Sequence, residues 1–169
     1  MNDLKSLVAA KKDEAEKRRT AEQIEIERVR AYKLERRKTL YSTLSTMLMA
    51  EVDGNFGLTV HLIEPDYSGF YTRVAYFTRK PREFEKDVTE INMGAVCLAW
   101  TTETEKYEDY PSQSFDVLVI YFMSVNIGQF AACGKPFELG NVSFQAKDVE
   151  SFRERLAEWV FNNSRWLTA

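Results

Sequence analysis

Apolar positions are sparse over the first forty residues and dense after them, and the period of the pattern changes along the way. Leu4, Leu7 and Val8 make one small patch, and residues 11–23 add only Ala15 and Ala21. Ile24, Ile26, Val29, Tyr32 and Leu34 are spread around a helical wheel. From Leu40 a stripe at helical spacing begins: Leu40, Tyr41, Leu44, Met47, Leu48 and Val52. Strong helix formers fill this stretch without a Gly or Pro up to residue 50. The pattern predicts one charged helix of about 45 residues, roughly 65–70 Å long at 1.5 Å per residue. Asn2 or Asp3 would cap it, and Glu14–Arg18–Glu22, Asp13–Lys17, Glu25–Arg28 and Glu27–Arg30 would pair along its surface. Residues 39–52 are expected to dock on a globular body, with 9–38 extending away. A coiled-coil heptad started from Leu4 and Leu7 fails at once, because the next seam positions are Lys11 and Glu14.

Downstream the period shortens. Residues 57–64 alternate, with Leu58, Val60 and Leu62 on one face and Thr59, His61 and Ile63 on the other. A turn at Pro65–Gly69 and the aromatic, β-branched run 70–79 complete a predicted hairpin. Residues 94–101 read as a third strand, the apolar run 115–125 as a central strand covered on both faces, and 141–146 as a weaker one. Phe84, Val88 and Ile91 suggest a short helix. Asp148 followed by the stripe Val149, Phe152, Leu156, Trp159 and Val160 predicts a C-terminal amphipathic helix. The fold class is therefore α+β. A long N-terminal charged helix (1–50) leads into a compact domain (51–169) with a four- to five-stranded, mostly antiparallel sheet.

Composition sharpens this division. All seven Gly, all four Pro and 20 of the 22 aromatics fall in 51–169. The first 50 residues carry a net charge of +4 and the rest −7. No run approaches the roughly 18 apolar residues of a membrane span. Met1 leads directly into the charged helix without the apolar core of a signal peptide, so a cytoplasmic location is expected. Two cysteines and one histidine cannot supply a disulfide framework or a standard zinc site. No metal or cofactor is expected.

Four features carry candidate chemistry. Arg28, Arg30, Lys33, Arg36, Arg37 and Lys38 form a basic run in which Arg30, Lys33 and Arg37 share a helical face, a geometry able to track phosphates. The plainer alternative is a solvated helix. Phe70, Tyr71, Arg73, Tyr76, Phe77, Arg79 and Arg82 interleave aromatics and cations on the predicted hairpin, as in single-strand binders, although cross-strand packing explains them more simply. Thr101–Gln113 reads as an acidic loop with Glu103, Glu105, Tyr107, Glu108, Asp109 and Tyr110, suited to docking a basic partner. Cys133 in AACGKPF would have to use His61 for any thiol dyad, while Cys97 lies among apolar residues and reads as core. The phosphate-loop and GxGxxG motifs are missing.

These features favour a non-catalytic protein–protein interaction module, of adaptor, inhibitor or immunity type. It would use the projecting charged helix and the acidic, aromatic-rich body, its partner being a protein with a basic surface. The N-terminal helix offers a route to homo-oligomers. The first alternative is nucleic-acid binding through Arg28–Lys38, and the second is a carboxylate- or Cys-dependent enzyme.

Overall fold

The computed structural model describes residues 3–83, 85, 87–107, 110–124 and 142–167. Phe84, Glu108, Asp109 and Cys133 lie outside the described residues, as do the side chains of Tyr107 and Tyr110.

Helix α1 spans Leu4–Met47. Asp3 caps it, its carboxylate accepting from the Lys5 and Ser6 amides. The chain divides into two compact units, Met1–Arg36 and Arg37–Ala169, with the boundary inside α1. In the first unit none of residues 3–36 is buried. Local forces hold this stretch: helix propensity and the Glu14–Arg18 (2.6 Å) and Glu25–Arg28 (2.7 Å) ion pairs.

In the second unit α1 passes into a π-helical turn, Leu48–Val52, closed by the Asp53 amide donating to the Leu48 carbonyl at 3.0 Å. The widened turn puts Leu48 and Val52 in the core while Met49, Ala50 and Glu51 stay exposed. A tight turn follows, in which Gly54 (φ 73°), Phe56 (φ 55°) and Gly57 (φ 72°) occupy the left-handed region. Gly57 is also demanded by space: a Cβ there would lie 2.2 Å from the Leu167 carbonyl oxygen.

Five strands form one antiparallel sheet in the order β1-β2-β3-β4-β5. They are β1 (Leu58–Leu62), β2 (Tyr71–Arg79), β3 (Ile91–Tyr107), β4 (Tyr110–Ser124) and β5 (Val142–Ala146). Helix α2 (Val149–Asn162) and the short α3 (Ser164–Leu167) end the described chain. Asp148 caps α2 by accepting from the Ser151 amide at 2.8 Å. The core joins Leu44, Leu48 and Val52 to Phe152, Leu156 and Trp159 across the sheet residues Phe77, Val96, Leu98, Ile120 and Phe122. At its centre Phe122 meets Phe77 (5.5 Å), Phe144 (5.2 Å) and Trp159 (4.7 Å, edge-on). Ala95, Cys97, Ala99 and Val119, which point the other way, are buried as well. The inner half of β4 is thus covered on both sides, as its apolar run predicts.

Two expectations fail. Residues 84–91 do not form a short helix among the described positions; Val88 is exposed and Ile91 opens β3. Glu85 instead grips the Arg79 guanidinium (2.7 and 2.8 Å) and accepts from the Arg82 amide. The described part of the acidic stretch 101–113 is not a loop. Residues 101–107 and 110–113 extend β3 and β4, which pair from Gly94↔Ser124 out to Tyr107↔Tyr110. The alternation of β-branched Thr101, Thr102 and Thr104 with Glu103 and Glu105 suits a two-stranded ribbon, whereas their charge alone suggested a loop.

Candidate functional site

The histidine, cysteine and basic residues singled out in the sequence are largely occupied by the fold. His61 stacks on Tyr76 (4.5 Å, 9°), and its Nε2 lies 2.9 Å from Thr78 Oγ1 and 3.8 Å from Glu90. Cys97 is 2% exposed. Burial pushes its thiol above the ordinary 9.0, against the pull of Arg73, so at neutral pH it is a protonated thiol and a poor nucleophile. In the basic run, Arg28 forms a two-pronged bond with Glu25 (2.9 and 2.7 Å), and Arg36 lies 5.9 Å over the Tyr32 ring. Arg30 and Lys38 are exposed and Lys33 half-buried. Arg37 is 3% exposed and donates to the carbonyls of Tyr67 (2.8 Å) and Phe70 (2.7 Å), with Trp100 beneath it. That guanidinium is a structural tie and is not open to a phosphate.

On the first hairpin the expected aromatic–cation surface is dispersed. Phe77 and Arg79 are buried, Tyr76 is taken by His61, and Phe70 and Tyr71 are exposed at one end. A groove of about 410 Å³ lies between Gly54, Gly57, Lys80, Arg82 and Trp166. Two of its cations are engaged: Glu85 neutralises Arg79, while Arg82 donates to the Arg165 carbonyl and lies 5.4 Å over Trp166; Lys80 is exposed. Among the described residues no group of three His, Cys, Asp or Glu side chains converges on a metal position, and no helix is long and apolar enough to cross a membrane.

Of the acidic residues, Glu103 and Glu105 lie on β3 two positions apart, hence on one side of the ribbon. Glu103 bonds Lys147 at 2.8 Å. Tyr107 and Tyr110 pair through their main chains at the outer end.

The apolar surface that stands out was not predicted. A groove of about 390 Å³ runs between the π-turn and the last helices, floored by Met47, Val52, Leu156 and Leu167. Phe56 (47% exposed) and Phe161 (79%) flank it. Phe56 is held at φ 55°, a region costly for a bulky side chain. Arg153 closes one side by donating from Nε and Nη2 to Glu51, each at 2.9 Å, and it also meets Glu150. The sequence signal was present in Gly54-Asn55-Phe56-Gly57, an aromatic inside a glycine turn, but nothing in it tells that the turn faces Phe161. No family model, curated protein or solved structure matches the chain.

Proposed function

We propose that this chain is a non-catalytic protein–protein interaction module, of adaptor or inhibitor type, that receives an apolar side chain of its partner in the groove between Phe56 and Phe161. The observation that carries this reading is Phe56: a strained main chain presents a large ring to solvent beside a second exposed ring, over an apolar floor. A fold optimised only for stability would place Gly or Asn at such a position. Exposed aromatics around a desolvated centre, with charged residues at the rim, are the make-up of binding hot spots. Glu51, Arg153 and Glu150 supply that rim. Nucleic-acid binding has less support, since Arg37 is spent on two carbonyls and Arg28 on Glu25.

The test places a photo-crosslinking phenylalanine analogue at Phe161, at Phe56 and, as a control, at the exposed Val88, each in the intact chain in the cells that produce it. The expected result is one discrete protein adduct shared by positions 161 and 56 and missing at 88. Adducts at all three positions, or at none, would sink the groove reading.

A further inference from the structure

We infer that the stretch of α1 from Leu4 to Val29 is an interface for a second copy of this chain, the two helices running antiparallel with Lys11 of each opposite Glu22 of the other. The surface lies within the first unit, and the inference does not rest on the groove.

Residues 3–32 are exposed throughout, yet they include Leu4 (77%), Leu7 (48%), Val8 (45%), Ile26 (51%) and Val29 (38%). Propensity and ion pairs keep such a stretch helical, but they do not call for aliphatic side chains, since a lone solvated helix is polar all round. Counted at heptad spacing, one seam begins with Leu4 and Val8, passes Lys11, Arg18 and Glu22, and ends at Val29. Its two ends are apolar and its middle is charged. Leu7 and Ile26 border the seam, one at each end.

This order of residues selects the occupant and its direction. A parallel copy would stack Lys11 on Lys11, Arg18 on Arg18 and Glu22 on Glu22, three like-charged layers that oppose association. An antiparallel copy sets Leu4 opposite Val29, Val8 opposite the step Glu25–Ile26, Lys11 opposite Glu22, and the small Ala15 opposite Arg18. The two-fold axis repeats each layer once. The charges this register needs are available. Among the described residues Lys11 and Glu22 have no ion-pair partner on their own chain. They also stand about 16 Å apart along one helix, too far to meet each other. The seam charges without a counterpart across the pair are balanced at home, Arg18 by Glu14 (2.6 Å) and Glu25 by Arg28 (2.7 Å). The aliphatic stem of Arg18 can then lie over Ala15. At the rim Lys12 comes near Arg19, where water screens the repulsion. A partner helix without this Lys–Glu order would leave Lys11 and Glu22 unmatched at the seam, so the chain's own sequence is the fitting partner.

The test is sedimentation equilibrium of the intact chain from about 5 to 500 µM in about 100 mM salt. The expected result is a reversible monomer–dimer equilibrium. Lys11→Glu and Glu22→Lys should each weaken it by about tenfold, because each sets like charges opposite one another in two layers. The double variant Lys11→Glu/Glu22→Lys should return to the original affinity, because the pair is only exchanged. In a parallel dimer the same layers stay like-charged in all three variants, so a dimer indifferent to them overturns the inference. Direction is read separately by mixing Leu4→Cys and Val29→Cys chains under mild oxidation and mapping the disulfide. A 4–29 bond between copies is expected, and a 4–4 bond would overturn the antiparallel arrangement. A chain that stays monomeric throughout the range overturns it as well, and so does a dimer abolished by Phe161→Ser, which would place the contact in the groove. All the substituted positions on α1 are exposed, so the variants are expected to fold. A failure of the groove reading appears only in the crosslinking at Phe161 and Phe56.

Discussion

Arg153 on α2 holds Glu51 on the π-turn through two parallel hydrogen bonds of 2.9 Å, across 102 residues of chain. The pair ties together two walls of the apolar groove and orders the charged rim beside Phe56 and Phe161. Both partners are more than 40% exposed, so solvent screens the attraction. Glu51→Gln is expected to leave the urea midpoint of unfolding almost unchanged. The same substitution should loosen the π-turn, read as faster amide exchange at Val52 and Asp53. A large loss of stability would show that the pair holds up the fold and does not merely shape the groove.

Phe56 offers a measure of strain. Its φ of 55° favours glycine over any residue carrying a Cβ. Phe56→Gly is expected to be more stable than Phe56→Ala by about 1 kcal/mol in urea denaturation. Equal stabilities would mean that the turn relaxes out of the left-handed region and stores nothing.

Gly94 carries a steric prediction. A Cβ at this position would lie 2.6 Å from the Phe122 ring and 2.8 Å from the Met123 carbonyl oxygen. Gly94→Ala should destabilise the second unit by about 2–3 kcal/mol, as overpacking does. Adding Phe122→Leu should recover part of that loss, so the double mutant should cost less than the two single costs added together.

Arg37 and Arg36 are neighbours with different fates. Arg37→Ala removes a buried guanidinium and leaves the Tyr67 and Phe70 carbonyls without their donor. An expected cost of about 2–3 kcal/mol follows from the unsatisfied groups. Arg36→Ala, at an exposed site, should change the melting temperature little. Equal effects of the two substitutions would contradict the structural role of Arg37.

Acid should weaken the fold through two carboxylates. The Arg79 guanidinium, bonded to Glu85, holds that carboxyl below its ordinary 4.5, with the Arg82 amide adding to the effect. The Ser151 amide and hydroxyl hold Asp148 below 3.8. A depressed folded-state pKa means that the unfolded chain binds more protons. Each contribution is therefore complete above the ordinary value and is lost as pH falls through the lower folded value. Stability should be flat near neutrality and decline below about pH 4.5. Glu85→Gln should flatten part of that decline, because it removes a group whose proton uptake differs between the two states.

Periodicity along the chain is a local property, and most of what it governs was legible; the short helix read from the spacing of Phe84, Val88 and Ile91 is the exception among the described residues. The helical spacing from Leu40 to Val52, the Asp148 cap and the stripe through Trp159 appear as read, and the alternation of 57–64 holds for the buried Leu58 and Val60, while the strand ends at Leu62, which is exposed. The α+β class follows from them, because each amphipathic face must find another to bury against. Residues 101–113 were misjudged because charge outweighed the alternation of Thr and Glu, and an exposed ribbon lacks the apolar face that usually betrays a strand. The fate of Arg37 was equally hidden. Its partners, the Tyr67 and Phe70 carbonyls, are main-chain groups 30 and 33 residues away, and a carbonyl leaves no mark in a sequence. The groove depended on Gly57 packing against the Leu167 carbonyl, which brings Phe56 alongside Phe161. Sequence thus determined the long helices, the apolar strands and which of their faces are apolar, since those follow from neighbours along the chain. Tertiary structure decided which cations are spent, which aromatics are left exposed and where a strand outruns its neighbours, since those depend on residues brought together only by the finished fold.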